Sequence, residues 1–385
     1  MRASRRTSAR LDVDALLADR GTQIIVCCGA GGVGKTTTAA ALALRAAEQG
    51  RRVVVLTIDP ARRLAQSMGL DQLDNTPRTV KGVNAANGGR LDAMMLDMKR
   101  TFDEIVESHS TPDKAQQIFA NPFYQALSSS FAGTQEYMAM EKLGQLRAQA
   151  DRDGSWDLVV VDTPPSRSAL DFLDAPARLG SFLDGRFIKL LLVPAKVGGR
   201  AYLKVFATGI NAVTNALTKV LGAQVLTDIS TFVAALDTMF GGFRERADVT
   251  FRLLQEQGTS FVVVAAPESD ALREASYFVD RLASERMPLA GLVLNRVHDV
   301  VAGSLSAERS IAAAETLAEL KAHPLTAQLL RLHAERSRVA TREHALTRRF
   351  TGAHPDVPIT RVAAMAEDVH DLDGLRQVGR DLAAR

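Results

Sequence analysis

Two patterns of apolar residues alternate along this chain. Runs that are almost continuously apolar and rich in β-branched residues occur at Ile24 to Cys27, Arg52 to Ile58 (RVVVLTI), Trp156 to Asp162 (WDLVVVD), Phe261 to Ala266 and Leu289 to Val297 (LAGLVLNRV). Such runs predict strands of a parallel sheet covered on both faces. Shorter runs at Arg90 to Asp97 and Pro358 to Met365 extend it. Between them, three- and four-residue spacing predicts helices over Thr37 to Glu48, stopped by Gly50, and over 99–108, 270–285, 307–321, 324–349 and 371–382. Strand and helix in alternation give an α/β fold with a mostly parallel, doubly wound sheet. From about 177 to 257 the strand signal lapses. There Leu203, Phe206, Ile210, Val213, Leu217 and Val220, then Ile229, Phe232, Leu236, Met239 and Phe243, keep helical spacing. With residues 111–149, helical apart from a break at Gly133 to Glu136, they predict an inserted all-α subdomain. The apolar stripe has two readings, a buried core or a groove for another protein's hydrophobic segment. Residues 1–20 read as a flexible, arginine-bearing tail with a short helical end, LDVDALLADR. The sheet-bearing core is expected over 21–110, 150–176 and 258–385, and the helical subdomain over 111–149 and 177–257.

Composition narrows the class. A chain of 385 residues exceeds the usual size of one core, as the insertion requires. A net charge of +3 is too small to argue for nucleic acid or membrane binding, and no nucleic-acid partner is expected. No apolar run approaches the ~20 residues that span a bilayer, and the basic N-terminus lacks the apolar stretch of a secretory signal, so a cytoplasmic protein is expected. Cys27 and Cys28 are adjacent in a predicted strand and can form neither a disulfide framework nor a zinc clip.

The chemistry concentrates after the first strand, where Gly29-Ala30-Gly31-Gly32-Val33-Gly34-Lys35-Thr36-Thr37 leads into a helix. This is the G-x-x-x-x-G-K-[ST] pattern, in which glycines let successive backbone N–H groups turn around phosphate oxygens and the helix adds its positive end. Lys35 is placed to reach the β- and γ-phosphates, Thr36 to ligate Mg²⁺, and Thr37 to contact the α-phosphate. Two further strands end in acids. Asp59, in Thr57-Ile58-Asp59-Pro60-Ala61, is a candidate for orienting the attacking water, and also fits a helix N-cap. Asp162, before Thr163-Pro164-Pro165, has the form of the Walker B carboxylate that holds the Mg²⁺ hydration shell. Asn295, ending another strand, can pair with the donor and acceptor edge of a purine or simply form a turn. The cofactors expected are ATP and Mg²⁺; the scattered histidines suggest no other metal.

GAGGVGKTT, TIDPA, VVVDTPP and VLNRV, in this order, resemble the ATPases that energise arsenite export (ArsA) and those of the Get pathway that deliver tail-anchored membrane proteins, related to MinD and ParA. GTQEYMAMEKL and AAPESDALREASYFVDRL resemble further segments of that family. The resemblance implies an ATPase that sandwiches ATP in a dimer and uses closure to control a hydrophobic protein client or a membrane partner, cytoplasmic or peripheral at the membrane. It makes Gly29 to Thr37 the phosphate loop, Asp59 the switch I residue, Asp162 the switch II acid and Asn295 the adenine contact. A MinD-like regulatory switch and a nearly inactive subunit of a composite ATPase are alternatives. Three departures qualify it. Ala30 stands where the family has a lysine that reaches the partner's phosphates, which implies a heterodimer with a lysine-bearing paralogue, a homodimer being the other arrangement. The arsenite thiols and the zinc-binding C-x-x-C are absent. Pro165-Ser166-Arg167-Ser168 replaces the usual glycine and histidine, leaving Arg167 as either a phosphate-side charge or a surface residue.

Overall fold

The computed structural model describes residues 9–59, 63–121, 124–125, 134–163, 245–300 and 302–384. The chain divides into two compact units, one of Met1–Met95, Gln149–Leu170 and Leu253–Arg385, the other of Leu96–Ala148 and Asp171–Arg252. The amphipathic helix after the third long strand belongs to the second unit. The stripe from Leu203 to Phe243, and Arg167, lie outside the described residues.

The first unit carries one sheet. Its strands are β1 (Ile24–Cys28), β2 (Arg52–Thr57), β3 (Arg78–Thr79), β4 (Arg90–Met95), β5 (Leu158–Asp162), β6 (Thr259–Ala265), β7 (Leu289–Val297) and β8 (Ile359–Ala363). Their spatial order is β3-β4-β2-β5-β1-β6-β7-β8. All pairs are parallel except β3 with β4. The continuous apolar runs follow from burial on both faces: Ile25 and Cys27 face the cluster that contains α2 (Lys35–Glu48), and the alternate residues Ile24 and Val26 are buried as well. Alanine dominates α2, so Ala39 to Ala47 lie close against the sheet and against α10 (Leu372–Ala383), whose Leu375, Val378 and Leu382 close the layer.

Residues 9–20 carry the short helix the sequence suggests, but docked into the core rather than frayed. Helix α1 (Val13–Ala18) is capped by Asp12, which accepts from Ala15 N, and Leu11, Val13 and Leu17 are buried in the main core. Arg51 holds this segment down: its guanidinium donates to the carbonyls of Leu17, Asp19, Thr22 and Asp157 and to the Asp157 carboxylate. Apolar residues in an arginine- and aspartate-rich context had masked the docking. Further helices of this unit among the described residues are α3 (Arg63–Ser67), α7 (Ser269–Ser284) on β6 and β7, and the hairpin α8 (Ala307–Glu319) with α9 (Pro324–Ala353).

In the second unit α4 (Met98–His109) packs with α5 (Pro112–Phe119), and the Tyr124 ring meets Phe102 edge-on at 5.8 Å while its hydroxyl donates to Asp103. Helix α6 (Thr134–Asp153) contributes Lys142, paired with Glu104, and Glu141, paired with Arg246 from the helical residues 245–255.

Candidate functional site

The site lies where β1 passes into α2, flanked by the carboxyl ends of β5 and β6. Two glycines make the turn possible. Gly29 has φ +150°, and a Cβ there would sit 2.1 Å from the Val264 carbonyl of β6. Gly34, at φ +94°, is the N-cap of α2, and a Cβ on it would come within 2.2 Å of Asn295 Nδ2. Having no side chain, Gly34 covers none of the N–H groups of the first turn, which are thus presented to an anion. Gly31 and Gly32 are exposed at the loop's crest, while Ala30 and Val33 are buried beneath it.

Lys35, the first residue of α2, is buried, and its ammonium donates to the Ala30 carbonyl at 2.8 Å. Desolvation lowers its pKa, with Asp162 opposing that shift. Thr36 Oγ1 donates to Asp162 Oδ2 at 2.7 Å, and Thr57 Oγ1 donates to the same oxygen at 2.9 Å. Burial lifts the Asp162 carboxyl to about 6 against the pull of those two hydroxyls and of Lys35. Its other oxygen, Oδ1, is buried with no hydrogen-bond partner. A buried carboxylate oxygen without a donor, next to a hydroxyl at the mouth of a phosphate loop, fits the hard oxygen set of Mg²⁺, directly or through its water. Thr36 and Asp162 are the residues that would hold it.

Asp59 follows β2, and its N–H donates to Thr57 Oγ1 at 3.2 Å. It borders, with Gly32, Gly34, Lys35, Thr36 and Thr37, a cavity of about 750 Å³. Asn295 lies beside the loop, but its Nδ2 donates to the Val33 carbonyl at 2.8 Å. Its first task is thus to pin the loop; an amide has one further N–H and a carbonyl oxygen for a base edge. The sequence-predicted residues Gly29 to Thr37, Asp59, Asp162 and Asn295 therefore converge on one end of the sheet.

Other residues at the site escaped the sequence. Thr57 is two positions before Asp59, a spacing that puts both on one side of the strand end, and that was its only signal. Arg296 borders the cavity in a left-handed conformation, φ +61°, at a register shift in the pairing of β7 with β8. Asp368, Val369 and His370 reach the same cavity from the segment before α10. No pattern in the sequence connects them with the loop.

Cys27 and Cys28 lie under the loop, both buried, with thiol pKa values raised by desolvation, that of Cys28 to about 12. They act as small apolar residues here. Among the described residues, no helix is long and apolar enough to cross a membrane.

Comparison with known proteins matches this arrangement. The family model described as anion-transporting ATPase covers residues 22–304. Relatives include an "ATPase ASNA1 homolog" of Cryptosporidium parvum, 27% identical over 270 residues, which are 70% of this chain and 63% of that protein. An "ATPase GET3" of Podospora anserina is 25% identical over 287 residues, covering 74% of this chain and 76% of the relative. The GET3 ATPase of Malassezia globosa is likewise 25% identical, over 73% of this chain and 75% of its own. With the family model extending from ahead of the first strand to beyond β7, the chain belongs to the anion-transporting ATPase family.

Proposed function

We propose that this chain binds Mg-ATP in the β1–α2 loop and hydrolyses it. The observation that carries this reading is the buried, unpartnered Asp162 Oδ1 beside the Thr36 hydroxyl and below the amides of the loop. Backbone N–H groups from Gly29 to Thr37 cradle the phosphates. Lys35 leaves the Ala30 carbonyl and moves its charge to the β- and γ-phosphate oxygens. Thr36 and Asp162 would hold Mg²⁺, which would supply charge neutralisation to the phosphates. The Asp59 carboxylate accepts from a water and aligns it with the γ-phosphorus. A new P–O bond forms as the bond to the β,γ-bridging oxygen breaks; the electron pair leaves with ADP, and the water's proton leaves with inorganic phosphate.

Calorimetric titration with Mg-ATP, together with phosphate release, tests this. Lys35→Ala removes most binding and turnover; Asp59→Asn retains binding and slows hydrolysis. An absence of heat on adding Mg-ATP to the folded protein overturns the proposal.

Ala30 favours a composite enzyme. In related phosphoryl transfer, a cation supplied in trans changes turnover by ~10³ or more, and the family's usual lysine is missing from this position. The proposed assembly is a heterodimer with a paralogue that carries it, a homodimer being the alternative. Its closure on ATP would control a hydrophobic protein client or a membrane partner, from the cytoplasm or the membrane surface. Turnover that rises well above the sum of both chains on mixing supports the heterodimer; full turnover by this chain alone removes it.

A further inference from the structure

Thr57 stands between the two acids of the site. It is the last residue of β2, is buried to 1% exposure, and pairs in register with Asp162 on β5. One oxygen atom works in two directions: Oγ1 donates to Asp162 Oδ2 at 2.9 Å and accepts from the Asp59 N–H at 3.2 Å. The polarity follows from what each partner can do. An ionised carboxylate can only accept and a backbone N–H can only donate, so the single hydroxyl proton points to Asp162 and a lone pair faces Asp59. Asp162 Oδ2 also receives the Thr36 proton at 2.7 Å. A chain of hydrogen bonds therefore runs from Asp59, two residues past the end of β2, through Thr57, to the carboxylate that meets the phosphate loop.

The linkage fixes the backbone of Asp59, and hence the origin of its carboxylate. The β-branched side chain is stiff at χ1 and sits at the buried end of a strand, so the hydroxyl cannot swing to another partner without leaving both. We infer that Thr57 is a positioning residue that ties Asp59 to Asp162, so that loading the metal side of the site sets the place from which water is directed at the γ-phosphate. This inference rests on the ATPase reading above. Thr57 is buried and does not border the cavity; it acts through its two neighbours.

Thr57→Val keeps the shape and removes both hydrogen bonds, whereas Thr57→Ser keeps the hydroxyl. Single-turnover hydrolysis and ATP affinity are measured for both, and for Thr57→Val combined with Asp59→Asn. Loss of a hydrogen bond to a charged group predicts a fall in kcat of about tenfold or more for the valine variant. Its ATP affinity stays within about threefold, and serine restores the rate. Because the effect passes through Asp59, the valine change slows Asp59→Asn by less than about twofold. Wild-type protein that binds no ATP defeats the ATPase reading itself. If the wild type hydrolyses ATP, the inference falls on any of three results: valine matching the wild-type rate, serine failing to rescue, or full additivity with Asp59→Asn. Equal losses of affinity and rate would mark Thr57 as a structural hydroxyl and also overturn it.

Discussion

Asn295→Ala separates two tasks that a single amide can perform. The side chain is wedged against the phosphate loop, donating to Val33 O at 2.8 Å and leaving no room for a Cβ on Gly34. Deleting the amide removes a neutral hydrogen bond worth about 1 kcal/mol net; a Val33 carbonyl left without a substitute raises the cost to about 2 kcal/mol. Those figures correspond to a ~5- to 30-fold loss of affinity. Since the fault lies in the loop, it applies to anything the loop cradles, with or without a base. The assay is calorimetric titration of wild type and variant with Mg-ATP and, separately, with magnesium tripolyphosphate. Both ligands are expected to weaken by the same factor. Weaker ATP with unchanged tripolyphosphate would refute the loop-pinning role and return Asn295 to the adenine contact implied by the family resemblance.

Arg51→Met removes the donor from the carbonyls of Leu17, Asp19, Thr22 and Asp157, while the part-exposed Asp157 carboxylate keeps Arg20 and the Arg52 N–H, so a loss of about 3 kcal/mol is expected. Guanidinium unfolding reads it as a lower midpoint, and a loss below about 1 kcal/mol contradicts the staple role. Asp162 gives a pH dependence of definite sign. Its folded pKa of about 6 lies above that of the unfolded chain, so its contribution to stability is full below the unfolded value and is lost as pH rises through about 6. Without nucleotide and metal, Asp162→Asn should therefore melt higher than wild type at neutral pH, the gap closing toward about pH 4. Thermal denaturation at both pH values checks this. Mg²⁺ affinity, which needs the ionised carboxylate, should fall as pH drops through the same range, as titration calorimetry would detect.

Much of this molecule was legible because its strands are buried on both faces: an uninterrupted run such as VVVL at 53–56 has few other places to go. The loop was legible because phosphate binding demands glycines at fixed offsets and a lysine after them. What escaped depended on distant partners. The role of Thr57 exists only because β2 and β5 pair in a register that brings Asp162, more than a hundred residues later, to its hydroxyl. Asp368 to His370 reach the cavity from the far end of the chain. The two-residue β3 is too short to leave a period, and the docking of α1 was hidden because it depends on Arg51, which donates to the Leu17 carbonyl, and on Arg45, which pairs with Asp14.

The grip of Lys35 on the Ala30 carbonyl bears on how the protein can cycle. The ammonium is not a bare positive charge, for one of its N–H groups is given to the loop's own backbone. An arriving triphosphate must win that group away from the chain, so entry is an exchange of partners and part of the attraction cancels. The same cancellation eases departure of the product, because a lysine with a resting place nearby has somewhere to return to when phosphate lets go. A site made this way gives up some tightness of hold in return for readiness to empty, which suits a protein whose usefulness lies in repeated turnover of its bound state.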